Sequence, residues 1–103
     1  MDLIKILVLQ CTCSVGNMWI MNLVNASLTK FNTVGARTFE GDYSDIEYWD
    51  SPNTIIFTSA PLMNKVKSHV EVVMDAYMGR MSQDKFDAIF DRSIKSIRER
   101  VEG

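Results

Sequence analysis

Ile4-Lys5-Ile6-Leu7-Val8-Leu9-Gln10-Cys11-Thr12-Cys13-Ser14-Val15-Gly16-Asn17 is the stretch on which the fold turns. Branched apolar residues run almost unbroken from Leu3 to Gln10, the pattern of a central strand covered on both faces. Small and polar residues follow, in a loop that opens on Cys11. From Asn17 to Phe31, the residues Trp19, Ile20, Leu23, Val24, Leu28 and Phe31 recur at three- and four-residue spacing, a helical stripe. Strand, cysteine loop and helix in that order place a thiol at the carboxyl end of a strand. There it faces the first N–H groups of a helix, a setting that attracts anions and favours the thiolate.

The rest of the chain continues the alternation. Val34 to Phe39 reads as a short strand, and Gly41 to Pro52 as a polar crossover with Tyr43, Ile46 and Trp49 on the inner side of a short helix. Asn53 to Ser59 is a second buried strand, followed by an irregular connection from Ala60 to Ser68 and a short strand from Val70 to Met74. Gly79 falls in a turn, and Ser82 is the expected N-cap of the last helix. That helix carries Phe86, Ile89, Phe90, Ile94, Ile97 and Val101 as its apolar stripe, with Asp84, Asp87 and Arg98 expected to face water. Trp49 is expected in the core. A surface role is open for Tyr77, and Met63, Met78 and Met81 are candidates for the rim of the Cys11 loop.

This pattern implies an α/β fold with three layers: a four-stranded parallel sheet in the order 2-1-3-4 with helices on both faces. Flavodoxins and low-molecular-weight phosphotyrosine phosphatases have a similar arrangement. The expectation is one domain spanning 1-103. In such sheets ligands bind beyond the carboxyl ends of the strands, at the switch point beside the first strand. Cys11 lies there, and Thr58 and Ser59, at the end of the third strand, are expected at its rim.

Composition narrows the function classes. The chain has 103 residues, 47% of them hydrophobic and 23% charged, with a formal net charge of −2. These are values of ordinary globular proteins, without the basic surface that nucleic-acid binding requires. Arg92, Lys95, Arg98 and Arg100 gather near a helix C-terminus, where they complement its dipole. No apolar run approaches the ~18 residues needed to span a bilayer. Asp2 and Lys5 around the first apolar run argue against a signal peptide, so a cytoplasmic protein is expected. Two cysteines in the spacing Cys11-Thr12-Cys13 make no disulfide framework.

Four chemistries compete for Cys11, beside the reading in which it is merely a small buried hydrophobe. A thiolate among backbone N–H groups attacks phosphorus well and can hold the phosphoryl group it gains. Hydrolysis of that group, as in Cys-x5-Arg phosphatases, calls for an arginine clamp. Asn17 and Trp19 stand six residues past Cys11 and Cys13, and no Asp-Pro pair follows. Redox chemistry of the thioredoxin type needs Cys-x-x-Cys. A closed zinc site needs four ligands, and Cys11, Cys13 and His69, the sole histidine, supply three at most.

The segment Ile4 to Asn22, with Cys11 closing the strand and Gly16 five residues later, resembles the enzyme IIB components of the bacterial phosphoenolpyruvate-dependent sugar phosphotransferase system. It looks most like the ascorbate and galactitol-type branch, whose loop reads Cys-Gly-x-Gly-x-Gly-[Ser/Thr]-Ser. Thr54-Ile55-Ile56-Phe57-Thr58-Ser59 is similar to the family's third strand. Val72-Val73-Met74, the turn from Tyr77 to Met81 and Asp84-Lys85-Phe86 resemble its end section. The resemblance implies that Cys11 receives a phosphoryl group from a histidine of enzyme IIA and passes it to a sugar at the membrane permease, enzyme IIC. It also implies that Thr12, Cys13, Ser14, Val15, Gly16, Asn17 and Met18 cradle the phosphate, with no cofactor or metal. Thr12 and Ser14 stand where glycines are common, and Asn17-Met18 where Ser/Thr-Ser is usual. Asn17 still offers a side-chain donor to the phosphate; Met18 does not. The alternatives are a non-catalytic, IIB-like interaction or regulatory module, and a thiol redox or metal-handling protein.

Overall fold

Side-chain alternation along the first strand sets the layers. In a computed structural model describing residues 4–31 and 35–102, β1 (Ile4–Leu9) turns Ile4, Ile6 and Val8 to one face of a sheet and Leu7 and Leu9 to the other. β2 (Ala36–Gly41), β3 (Thr54–Thr58) and β4 (His69–Val72) complete the sheet. All pairings are parallel and the order is β2-β1-β3-β4, as the sequence predicts. Val34, expected to open the second strand, lies outside the described residues.

Helices α1 (Ser14–Lys30), α3 (Met74–Tyr77) and α4 (Gln83–Glu102) pack on the Ile6 face. Phe57 of β3 meets Phe86 and Phe90 of α4 there, with ring centroids 5.3 and 6.4 Å apart. Among the described residues, the other face carries α2 (Ile46–Trp49), the 3₁₀ turn before it and the irregular connection after β3. Trp49 stacks on Phe39 at 4.2 Å, and the Lys5 ammonium sits 5.9 Å from its ring centroid. That cation–π contact lets a lysine interrupt the apolar run of a central strand. Among the described residues, no helix is long and apolar enough to cross a membrane.

Several expectations need correction. α1 starts at Ser14, not Asn17, because the Asn17 N–H already donates to the Cys13 carbonyl (3.1 Å). Tyr43 is exposed, while Ile46 and Trp49 do face inward. Asp42 and Asp45 cap the 3₁₀ turn reciprocally and leave the Tyr43 ring outside it. The fourth strand ends at Val72, and Met74 belongs to α3, a helix too short to leave a periodic signal. Asp87 is buried, not solvated, because its position on α4 faces α1. Ser82 caps α4 as expected: its hydroxyl accepts from the Lys85 N–H (3.2 Å).

Candidate functional site

The site is built where β1 leaves the sheet. The Gln10 N–H donates to the Gly41 carbonyl (2.8 Å), continuing the pairing with β2, and the chain then turns away at Cys11. The main chain of Cys11 is taken up by one side chain. Its N–H donates to Asn17 Oδ1 (2.7 Å), and Asn17 Nδ2 donates to its carbonyl oxygen (3.0 Å). The opposite polarity of the two bonds fixes which end of the Asn17 amide is oxygen and which nitrogen. The Cys11 thiol is half-buried and donates to the Cys13 carbonyl (3.2 Å).

Gly16 permits this arrangement. A Cβ at that position would lie 2.7 Å from the Tyr77 carbonyl oxygen and 3.2 Å from Cys11 Sγ. Only a residue without one lets the first turn of α1 press against α3 and against the thiol at once. Cys11 therefore sits over the N-terminus of a helix of 17 residues, with its sulfur against the third of them.

The electrostatics of that helix end are uncompensated. Cys13 at the N-cap makes no side-chain bond to the first turn, and the first turn holds no acidic residue. The N–H groups of Ser14, Val15 and Gly16 have no intrahelical acceptor, and the helix dipole adds a partial positive charge there. Thr12 and Ser14 are exposed beside them. The expected cradle from Thr12 to Met18 thus divides. Asn17 has its N–H on Cys13 and its side chain on Cys11, and Met18, further into the helix, turns its side chain to solvent.

Tyr77 is a supporting residue for which the sequence leaves a surface role open. It is 4% exposed, and its hydroxyl donates to the carbonyl oxygens of Leu9 and Phe57. Burial pushes the phenol well above its ordinary range, with Cys11 and Tyr43 adding to the rise. A phenol in a buried stretch needs a polar partner, and Val73 and Ala76 beside it are buried as well. Thr58 is buried, and its hydroxyl donates to the Ala60 carbonyl (2.9 Å), closing its own turn. Ser59 is half-buried beside it. Met63 and Met78 are exposed and Met81 packs on the core.

The rival centres come apart. His69 pairs with Ile55, which is level with Ile6, so it stands about five residues (~16 Å) below Cys11 along the sheet. It cannot join the two cysteines around one metal ion. Ser96, His69 and Glu71 do form a line, with Ser96 Oγ 3.5 Å from His69 Nδ1 and Nε2 2.8 Å from Glu71. Ser96, however, lies inside α4, where backbone N–H groups are engaged in the helix and offer no oxyanion site. Glu71 is also held by Arg92 and Ser93, as in a structural ion-pair network. A groove of about 890 Å³ runs between α2 and residues 61–67; Cys11 does not line it.

Among the described residues, the arrangement therefore sets the Cys11 thiol against the uncapped first turn of α1, with no cationic side chain bonded to it. Compared with known protein families, curated proteins and solved structures, the chain matches nothing in any of the three.

Proposed function

We propose that the chain is a phosphocysteine carrier, the IIB component of a sugar phosphotransferase relay. The carrying observation is the Cys11 sulfur lying against Gly16, in the first turn of a helix that has neither a side-chain cap nor an acidic residue. The Cys11 thiolate attacks the phosphorus of a phosphohistidine on enzyme IIA. The S–P bond forms as the P–N bond breaks, and the imidazole nitrogen keeps the electron pair. In the second step a sugar hydroxyl held by permease IIC attacks the same phosphorus: the O–P bond forms as the S–P bond breaks, the departing sulfur keeps the electron pair, and the hydroxyl proton passes to solvent. The N–H groups of Ser14, Val15 and Gly16 receive the phosphoryl oxygens in both steps. With no arginine in the loop to clamp the phosphoryl oxygens, the site is poorly equipped to drive hydrolysis, and the group persists long enough to be handed on. Such a relay places the protein in the cytoplasm, with no metal or cofactor in the chemistry.

A second reading is a non-catalytic interaction module. Exposed Val15, Met18 and Trp19 on the first turns of α1 favour it, since they make an apolar surface beside Cys11. Incubation with the phosphoenolpyruvate relay and a IIA protein separates the two. A carrier gains one thiol-linked phosphate that Cys11→Ser abolishes. Labelling retained in Cys11→Ser and lost in Cys13→Ser overturns the residue assignment, and no labelling at all favours the module.

A further inference from the structure

We infer that Asn17 is a positioning residue for Cys11: its side-chain amide closes a two-bond ring with the Cys11 peptide and so aims the sulfur at the first turn of α1. The inference deepens the carrier reading and rests on it for what the aimed thiolate does.

Three observations carry it. Cys11 lies past the end of β1, where the pairing to β3 has already stopped at Val8, so the ladder no longer holds its peptide groups. Asn17 supplies both missing partners, at 2.7 and 3.0 Å, from six residues away on the rigid helix. The Asn17 N–H also donates to the Cys13 carbonyl, the group on which the Cys11 thiol rests.

The shared carbonyl has a chemical consequence. The protonated thiol donates to Cys13 oxygen, but a thiolate has no proton to give and is repelled by that oxygen. On ionisation the sulfur must swing from the carbonyl toward the N–H groups of Ser14 to Gly16. With its peptide locked by Asn17, Cys11 makes that swing about χ1 alone, and the backbone does not follow. The same lock keeps a phosphorylated sulfur over the amides. Asn17 is thus bonded to the main chain through its Oδ1 and one of its two Nδ2 protons.

Asn17→Asp and Asn17→Ala test this. Asp keeps an acceptor for the Cys11 N–H, loses the donor to the carbonyl, and sets a negative charge against the Cys11 main chain. Cys11 alkylation by iodoacetamide, located by fragment-ion mass spectrometry, is measured against pH. Phosphoryl uptake is measured with phosphoramidate, a small P–N donor, and folding by urea denaturation. Positioning predicts that Asn17→Asp moves the alkylation profile about one pH unit upward. It predicts that Asn17→Ala slows phosphoryl uptake about tenfold or more, while its alkylation at high pH stays within about twofold of the unsubstituted chain, because a small alkylating agent needs no amide cradle. An unmoved profile in Asn17→Asp overturns the inference. So does a parallel fall of uptake and alkylation that follows only the loss of folded protein. If the unsubstituted chain takes no phosphate from phosphoramidate or from the relay, the carrier reading fails, and the alkylation profile still decides the role of Asn17.

Discussion

The Tyr77 hydroxyl donates to the Leu9 carbonyl and reaches that of Phe57 at 3.1 Å, bridging β1 and β3 where their ladder ends. These two strands diverge at the switch point, and one phenol from α3 serves both carbonyl oxygens. The floor beneath Cys11 is therefore tied to the helix that presses on Gly16.

Tyr77→Phe keeps the ring and removes the bridge. The two buried carbonyls then lose a donor, at a cost of about 1–2 kcal/mol. Urea denaturation reads this as a lower midpoint with unchanged slope. An unchanged midpoint would mean that the hydroxyl contributes nothing beyond its ring.

Gly16→Ala sets two effects against each other. Replacing glycine inside a helix stabilises it by up to about 1 kcal/mol. The new Cβ, however, would meet the Tyr77 carbonyl at 2.7 Å and Cys11 Sγ at 3.2 Å, and overpacking of this kind costs about 1–3 kcal/mol. The clash is with backbone, which yields poorly, so net destabilisation is expected, together with slower Cys11 alkylation. A more stable variant would show that α1 can shift away from α3 freely.

Gly79 combines two demands, a φ of +72° and a Trp19 ring 3.0 Å from its missing Cβ. Gly79→Ala is expected to lose about 1–3 kcal/mol. Repeating it in a Trp19→Leu background separates the two demands, since only the backbone part survives there. Equal losses in both backgrounds would assign the whole effect to φ.

How much of this was legible in the sequence follows from the range of each interaction. Short, almost continuously apolar strands alternate with helical stripes, and with right-handed crossovers that pattern gives the parallel sheet and its order. Cys11 was conspicuous because a strand stops and a helix starts around it. The partners of Asn17 could not be read, since a side chain that bonds backwards to a peptide leaves no periodic trace. Tyr77 and Leu9 meet across 68 positions. Asp87 adjoins the stripe of Phe86 and Phe90 on α4, and whether it faces water depends on where α1 packs.

Asp87 gives the sharpest pH test. It accepts from Ser27 Oγ (2.7 Å), Gln83 Nε2 (2.8 Å) and Lys30 Nζ (2.9 Å), pinning α4 to α1. The Ser27 and Gln83 hydrogen bonds, then the Lys30 ammonium, hold its carboxyl at about 2, below the ordinary 3.8. A depressed carboxyl stabilises the fold above its unfolded value, and that contribution disappears as pH falls through the folded one. The chain should therefore lose about 1–2 kcal/mol between roughly pH 4 and pH 2 from this residue alone. Asp87→Asn should lower stability at neutral pH and flatten the acid limb over the same interval, as followed by urea midpoints at successive pH values. Lys30 is 56% exposed at its side chain, so Lys30→Met should cost less than Ser27→Ala, whose hydroxyl is buried against the carboxylate. An acid limb of the same steepness in Asp87→Asn would place the acid sensitivity elsewhere in the molecule.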